Sequence, residues 1–244
     1  MQPHKIKIGF EFEFCSRFGR NRVVEDLKDC FDLSFCGPHR QTWRLACDTS
    51  IKTTARNYGH ELISPPLQYT TGLDMLRNIF DWMAETECRT NQTTGLHVNL
   101  SFTALERTRK IDPIKLIVFT PCKEWLTQYK RQKNIYCKSY DNDFKLWTKC
   151  AKAVHSRTWK DVVKVFRQQL YDSCIGDLKY RAISYHRDKL NPYYEFRMIG
   201  NKDYHKRFSE IKLNIDEMVE VLHISSDASS CVTEYEQAIS KYLT

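Results

Sequence analysis

Apolar and polar residues alternate strictly along residues 5–14, which predicts a strand with two different faces. Successive side chains of a strand point to opposite sides of the sheet. Two carboxylates on one side would lie about 7 Å apart, the two-residue repeat of a strand. Taken alone, the pattern is equally typical of an edge strand with a solvated acidic face. The apolar side carries Phe10, Phe12 and Phe14, and the polar side carries Glu11 and Glu13.

Three later stretches repeat the two-faced pattern, at residues 58–66, 96–102 and 192–200. The first is imperfect, because His60 falls on the side expected to be apolar. If these strands share one sheet, with their apolar sides against helices, their polar sides converge. The polar positions are Glu61 in the first stretch, His97 and Asn99 in the second, and Glu195 and Arg197 in the third.

Apolar residues at helical spacing predict seven helices, and residues 112 and 113 form an Asp-Pro pair typical of a helix start. A basic loop with interleaved aromatic residues follows the third helix at residues 129–138, and a further strand is predicted at residues 179–185. We expect the segment 129–140 to act as a mobile flap. The helices span residues 22–31, 71–85, 112–126, 144–154, 159–170, 204–223 and 230–243.

Composition restricts the class of protein. The 244 residues are 41% hydrophobic and 28% charged, as in a globular chain. No apolar run is long enough to span a membrane and no secretory signal is evident, so we expect a cytoplasmic protein. The 10 cysteines form no Cys-x-x-Cys pair, which argues against a zinc knuckle and for reduced thiols. The net charge of +8 fits an anionic ligand and leaves nucleic acid binding open.

The converging acidic positions, together with an isolated Asp48, need a counter-charge. Five carboxylates cannot lie together uncompensated. Carboxylate oxygens and one imidazole suit Mg²⁺ or Mn²⁺. An arginine among such acids, here Arg197, makes sense if a phosphate is also bound.

These residues lie in segments that resemble the amidoligase family, which belongs to the superfamily of glutamine synthetase and glutamate–cysteine ligase. The five segments occur in the same order as in the family. They run from the N-terminus to about Gly200, and no motif follows. The segments are GFEFE at residues 9–13, DTS at 48–50, GHELISPP at 59–66, GLHVN at 95–99 and YEFR at 194–197.

The resemblance implies an α+β fold: an antiparallel sheet curved into a half barrel, as in glutamine synthetase, with helices on its convex face. Residues 1–244 would form a single catalytic domain, with the motifs in 9–200 and helices in 201–244. It also implies ATP and two to three Mg²⁺ or Mn²⁺ ions.

Residue roles follow from the same resemblance. Three carboxylates, Glu13, Asp48 and Glu61, would hold one metal group. The ion that bridges the ATP phosphates would be held by Glu11, His97 and Glu195, and Arg197 would neutralise the phosphoryl group in transfer.

Further roles rest on looser matches. Catalytic contacts are expected from Arg131 and Arg181, beside Arg197. ATP contacts are expected from Glu11, Glu195, Arg197 and Lys179. Substrate contacts are expected from Asp48, Ser50, Ser64, Asn99 and Tyr136.

The implied reaction is amide formation: ATP converts a carboxylate into an acyl phosphate, and an amine then displaces the phosphate. The acid and the amine stay open, and a peptide, a protein, an amino acid or a modified nucleobase all fit. One alternative is a metal-dependent phosphotransferase of the guanidino-kinase type, which would stop at a phosphorylated product. Another is a nucleic-acid-binding module whose acidic strands are merely solvated.

Overall fold

The computed structural model describes residues 5–35, 41–54, 56–103, 111–173, 180–186 and 193–242. Within these ranges the chain forms seven strands, eight helices and a short 3₁₀ helix at Tyr204–Lys206. The strands are β1 Ile6–Ser16, β2 Arg44–Cys47, β3 Tyr58–Ile63, β4 Leu67–Gln68, β5 Gly95–Phe102, β6 Ile183–His186 and β7 Tyr193–Gly200. The helices are α1 Arg20–Phe31, α2 Tyr69–Glu85, α3 Pro113–Phe119, α4 Cys122–Gln128, α5 Asp141–Ala153, α6 Trp159–Ser173, α7 Phe208–Ser226 and α8 Val232–Ser240.

All seven strands belong to one open antiparallel sheet, which confirms the predicted antiparallel arrangement. The order is β2-β3-β1-β5-β7-β6, and the short β4 pairs with one end of β1. The first strand of the chain is therefore central. Its neighbours place Glu61 opposite Glu13 and His97 opposite Glu11.

The apolar side of β1 forms the middle of the core, as its alternation predicts. The rings of Phe10, Phe12 and Phe14 are all fully buried. Helix α2 lies across this side so closely that a β-carbon on Gly72 would come within 2.2 Å of Ile8 Cγ2. A glycine inside a helix lowers helix propensity. Here it lets the helix axis approach the sheet.

His60 is the exception in the alternation of β3, and the structure gives the reason. Its ring lies in the core, 5.5 Å from the ring of Phe14, and is fully buried. Nε2 donates to the carbonyl oxygen of Phe18 at 2.9 Å. Burial lowers the pKa of His60, so the ring is held neutral. This histidine is a structural residue and does not belong to the polar side of the sheet.

The prediction of a single helix at residues 112–126 is wrong, because the structure has two separate helices there, α3 and α4. Thr120 between them has ψ 124°, an extended conformation. The following Pro121 explains the break, since proline disfavours the helical conformation of the preceding residue and lacks an amide hydrogen. The predicted start is confirmed: the Asp112 carboxylate accepts hydrogen bonds from the amides of Ile114 and Lys115.

Two expectations about the whole chain have partial answers in the described ranges. The eight cysteines described there are all free thiols, and Cys15, Cys88 and Cys137 are buried. None of the helices there combines the length and the apolar composition that crossing a membrane requires.

Candidate functional site

One side of the sheet gathers four glutamates around a histidine. Glu11 and Glu13 come from β1, Glu61 from β3 and Glu195 from β7, and His97 of β5 lies between them. We call these five residues the carboxylate cluster. The predicted convergence of the polar strand faces is therefore observed, because the antiparallel register puts these positions beside one another.

His97 contacts carboxylates through both ring nitrogens and is only 2% exposed. Nδ1 lies 2.9 Å from Glu11 Oε2 and 3.1 Å from Glu195 Oε1, and Nε2 lies 3.4 Å from Glu13 Oε1. Burial and the nearby Arg197 charge would lower the pKa of His97, but the three carboxylates outweigh them and raise it to about 10. In the absence of a metal ion, the imidazole is a cation that partly neutralises the cluster.

The pKa values of the glutamates are shifted in opposite directions. Burial would raise the pKa values of Glu11 and Glu195, but hydrogen bonds and charges from His97 outweigh it and lower both. The hydrogen bond from His186 is the largest contribution that lowers the pKa of Glu195, and the charge of Arg197 adds to it. For Glu61, burial and the neighbouring carboxylates raise the pKa to about 7. The charge of His97 offsets only part of this increase.

An irregularity in β7 places Arg197 beside the cluster. The register of β5 and β7 shifts between Leu96 and Val98, so that Arg197 and Met198 both lie opposite the single residue His97. Such a bulge re-aims side chains next to functional sites. Arg197 Nη1 donates to Glu195 Oε1 at 3.0 Å, whereas its Nε is buried without a hydrogen-bond partner among the described residues.

The cluster has the donor set for divalent cations. The ligand atoms of Glu11, His97 and Glu195 lie within 4.8 Å of one another, and so do those of Glu13, Glu61 and His97. Oxygen with one imidazole nitrogen suits Mg²⁺ or Mn²⁺. A metal-bound histidine commonly donates its other N–H to a carboxylate. With Nδ1 as the ligand beside Glu11 and Glu195, Nε2–H would face Glu13, so the residues fit the ions that the resemblance implies.

Asp48 lies apart from both groups. Its carboxylate accepts from the amide and the hydroxyl of Ser50 at 2.7 and 2.9 Å, which closes a turn. The turn rests on β3 where Gly59 leaves space: a β-carbon there would lie 2.8 Å from the Asp48 carbonyl oxygen. Asp48 is near enough to help raise the pKa of Glu61. Its predicted part in a metal group stays a prediction.

Arg131 is not an exposed loop residue but is 3% exposed and packed behind the cluster. Its guanidinium occupies the space over two paired glycines and donates to the Thr94 carbonyl at 2.8 Å. A β-carbon would lie 2.8 Å from Nη1 at Gly95 and 1.8 Å from it at Gly200. Glu13 accepts the amide hydrogen of Gly95, and the same β-carbon would lie 3.2 Å from Glu13 Oε2. Arg131 therefore supports the backbone around Glu13.

The basic segment 129–140 is anchored at several points. The side chains of Tyr129, Cys137 and Tyr140 are buried like that of Arg131, and Lys138 pairs with Arg181 in a single parallel bridge. Tyr136, a predicted substrate contact, is 39% exposed. The flap at residues 129–140 remains a prediction.

The remaining predicted residues have other partners. Arg181 forms an ion pair with Asp143, with Nη2 2.7 Å from Oδ1. The Ser64 hydroxyl accepts from the Phe10 amide and donates to the Pro65 carbonyl. Asn99 Nδ2 donates to Glu11 Oε1 at 3.0 Å, and its Oδ1 is buried without a partner among the described residues. Lys179 lies outside those residues.

Sequence analysis missed His186, whose Nε2 lies 2.7 Å from Glu195 Oε2. The pairing of β6 with β7 brings it there, because Ser184 and His186 of β6 lie opposite Glu195 and Tyr193 of β7. The predicted strand ended at residue 185, one residue too early.

Comparison with known proteins addresses the family. Residues 4–200 match the model of a family described as "Putative amidoligase enzyme". The chain belongs to this amidoligase family. The matched range contains the whole carboxylate cluster with Arg197 and His186, and α7 and α8 follow it. The family description is that of an enzyme, in general a ligase.

Other comparisons add little to the amidoligase assignment. The chain is similar to the 3-hydroxy-3-methylglutaryl-coenzyme A reductase of Streptococcus pneumoniae at 7% identity and a TM-score of 0.24. That similarity covers 98% of this chain and 71% of the reductase and carries no argument about fold or function. No curated protein matches this chain.

Proposed function

We propose that this amidoligase joins a carboxylate to an amine with ATP, through an acyl phosphate. The observation that carries the proposal is the carboxylate cluster: an amidoligase presents four glutamates and a histidine on one sheet face, with Arg197 beside them. Carboxylates are the side chains that commonly bind the Mg²⁺ ions of nucleotide phosphates. The same open antiparallel sheet with one acidic side supports a glutamine synthetase-like arrangement.

Divalent ions held by the cluster would supply charge stabilisation and orientation to the phosphoryl group. Glu11, His97 and Glu195 would hold the ion nearest the phosphates, and Glu13 and Glu61 a second one. Because Glu61 has a pKa of about 7, it must release a proton before it can serve as a ligand near neutral pH.

Arg197 is suited to contact the transferring phosphoryl group. One of its five N–H donors is used on Glu195, and Nε is buried without a partner among the described residues. The ion pair with Glu195 holds the guanidinium next to the metal ligands. A planar guanidinium can contact two phosphate oxygens at once. Arg131 and Arg181 would act less directly, because each is engaged with other protein groups.

The substrate carboxylate would attack the γ-phosphate of ATP, forming the acyl phosphate and ADP. The amine would then attack the carbonyl carbon, releasing phosphate and a proton and leaving the amide. The chain needs no serine or cysteine nucleophile for either step, since positioning and electrostatic stabilisation supply the catalysis.

A screen of ATP hydrolysis over pools of carboxylates and amines tests this function. We expect ADP release that requires both an acid and an amine, with a product at the mass of acid plus amine minus water. Glu195→Gln should abolish the reaction, and Glu25→Gln, which changes an exposed glutamate of α1, should not. A phosphorylated product formed without an amine would instead indicate a phosphotransferase. Salt-sensitive nucleic acid binding without ATP turnover would indicate a binding module.

A further inference from the structure

The two oxygens of Glu195 have different surroundings. Oε1 faces the carboxylate cluster, where it lies 3.1 Å from His97 Nδ1 and 3.0 Å from Arg197 Nη1. Oε2 points away from those groups and lies 2.7 Å from His186 Nε2. The glutamate side chain is 3% exposed, so neither oxygen has free access to water. Whether one or both oxygens can reach a metal ion therefore depends on His186.

The ring of His186 is itself held in place. It stacks on Tyr193 with the ring centroids 4.5 Å apart and an angle of 3° between the planes. The two residues are opposite each other in the β6–β7 pair, so the stacking is built on sheet backbone. The His186 side chain is 38% exposed, whereas that of Glu195 is 3% exposed. A carboxylate can only accept, so Nε2 is the donor in this contact.

We propose that His186 is a positioning residue that holds Glu195 Oε2 out of the metal site and makes Glu195 a one-oxygen ligand, selecting Mg²⁺ or Mn²⁺ over Ca²⁺. This inference rests on the metal site of the proposed function. Ca²⁺ takes six to eight oxygen ligands and often binds both oxygens of a carboxylate, whereas Mg²⁺ demands near-octahedral geometry at shorter distances. A glutamate limited to one oxygen lowers the ligand count available to the larger ion.

Loss of His186 would leave Oε2 buried without its donor, and a buried acceptor without a partner is costly. Rotation of the carboxylate toward the bound ion would satisfy both oxygens. The larger ion gains most from that extra ligand. The effect therefore changes the ratio of two affinities, which general loosening of the site would not do.

Electron paramagnetic resonance titration of the full chain with Mn²⁺, followed by competition with Ca²⁺, measures this ratio without turnover. We expect His186→Ala to shift the ratio of the two affinities toward Ca²⁺ by about tenfold. Removal of a residue that hydrogen-bonds a metal ligand typically changes metal affinity by about 10- to 100-fold, and the expected shift is at the lower end of that range. His186→Gln, whose amide can donate, should keep most of the Mn²⁺ preference. His155→Asn, at an exposed histidine between α5 and α6, should change nothing.

Each outcome is decisive. An unchanged Mn²⁺ to Ca²⁺ ratio in His186→Ala, or an equal loss of both affinities, would overturn the positioning role. If His186→Ala does not fold, His186→Leu, which keeps side-chain volume but cannot donate a hydrogen bond, replaces it: a shift toward Ca²⁺ supports the role, and an unchanged ratio overturns it. Absence of Mn²⁺ binding to the wild type would contradict the metal site of the proposed function itself.

Discussion

The two sides of β1 contrast a packed apolar core with a charged site. On one side three phenylalanine rings are fully buried, and each contributes about 1.5–3 kcal/mol by leaving water. On the other side, Glu11 and Glu13 lie in a group of four carboxylates that repel one another. The even-numbered residues of this strand therefore stabilise the fold, whereas the odd-numbered Glu11 and Glu13 form part of the site at a cost in stability. Because successive residues of β1 point to opposite sides, substitutions at adjacent positions can test the stability of the fold and the chemistry of the site independently.

Truncation on the apolar side should have the largest effect. Phe12→Ala removes a ring that packs edge-on against Phe80 at 6.2 Å and should lower the free energy of unfolding by about 3–5 kcal/mol. Urea denaturation followed by circular dichroism measures this loss. A change of less than about 1 kcal/mol would contradict the role of this side as the core.

Arg197→Lys tests the polar side at constant charge. The variant should fold and bind ATP, but its turnover should fall about 100-fold, because lysine cannot make a bidentate contact with phosphate. A cation at a phosphoryl transition state can raise the rate by about 10³ or more, so this loss would be part of that effect. Single-turnover assays with nucleotide titration separate these steps. Near-normal turnover would reduce Arg197 to a structural partner of Glu195.

Affinity for Mn²⁺ should depend on pH, whereas packing on the apolar side should not. Glu61, with its pKa of about 7, gains a proton as the pH falls, and His97, with a pKa of about 10, must lose one to bind metal. Between about pH 8 and pH 6 the affinity should therefore fall at least about tenfold. Calorimetry in buffers of different ionisation enthalpy counts the released protons. Binding without proton release would contradict the cluster as the metal site.

Glu61→Gln should give the smallest effect, and of opposite sign to that of Phe12→Ala. The folded pKa of Glu61 lies above its ordinary value of 4.5, so its charge destabilises the metal-free fold progressively as the pH rises from 4.5 to about 7. In chelator at about pH 8 the variant should be more stable by about 1 kcal/mol, discounted for the partial exposure of Glu61, and at about pH 4 unchanged. Urea titrations of both proteins at both pH values check this. If the variant is less stable than the wild type at the higher pH, the Glu61 charge is stabilised by its surroundings.

Much of the cluster could be predicted from local pattern. Two-residue alternation assigned Glu11, Glu13, His97 and Glu195 to polar strand faces, and their spacing within the strands needed no tertiary information. Arg131 and His186 could not be placed in the same way. The first reaches the site from a loop, through space that Gly95 and Gly200 leave open. The second depends on which strand pairs with β7.

What the sequence alone determines is the set of faces, because the side-chain period of a strand is a property of its backbone. It also determines the end of α3, since Pro121 acts on its immediate neighbour. The strand order, the bulge opposite His97 and the choice between core and site for His60 arise only when distant segments pair. Pairing depends on burial and hydrogen bonding summed over the whole sheet, which no single segment encodes.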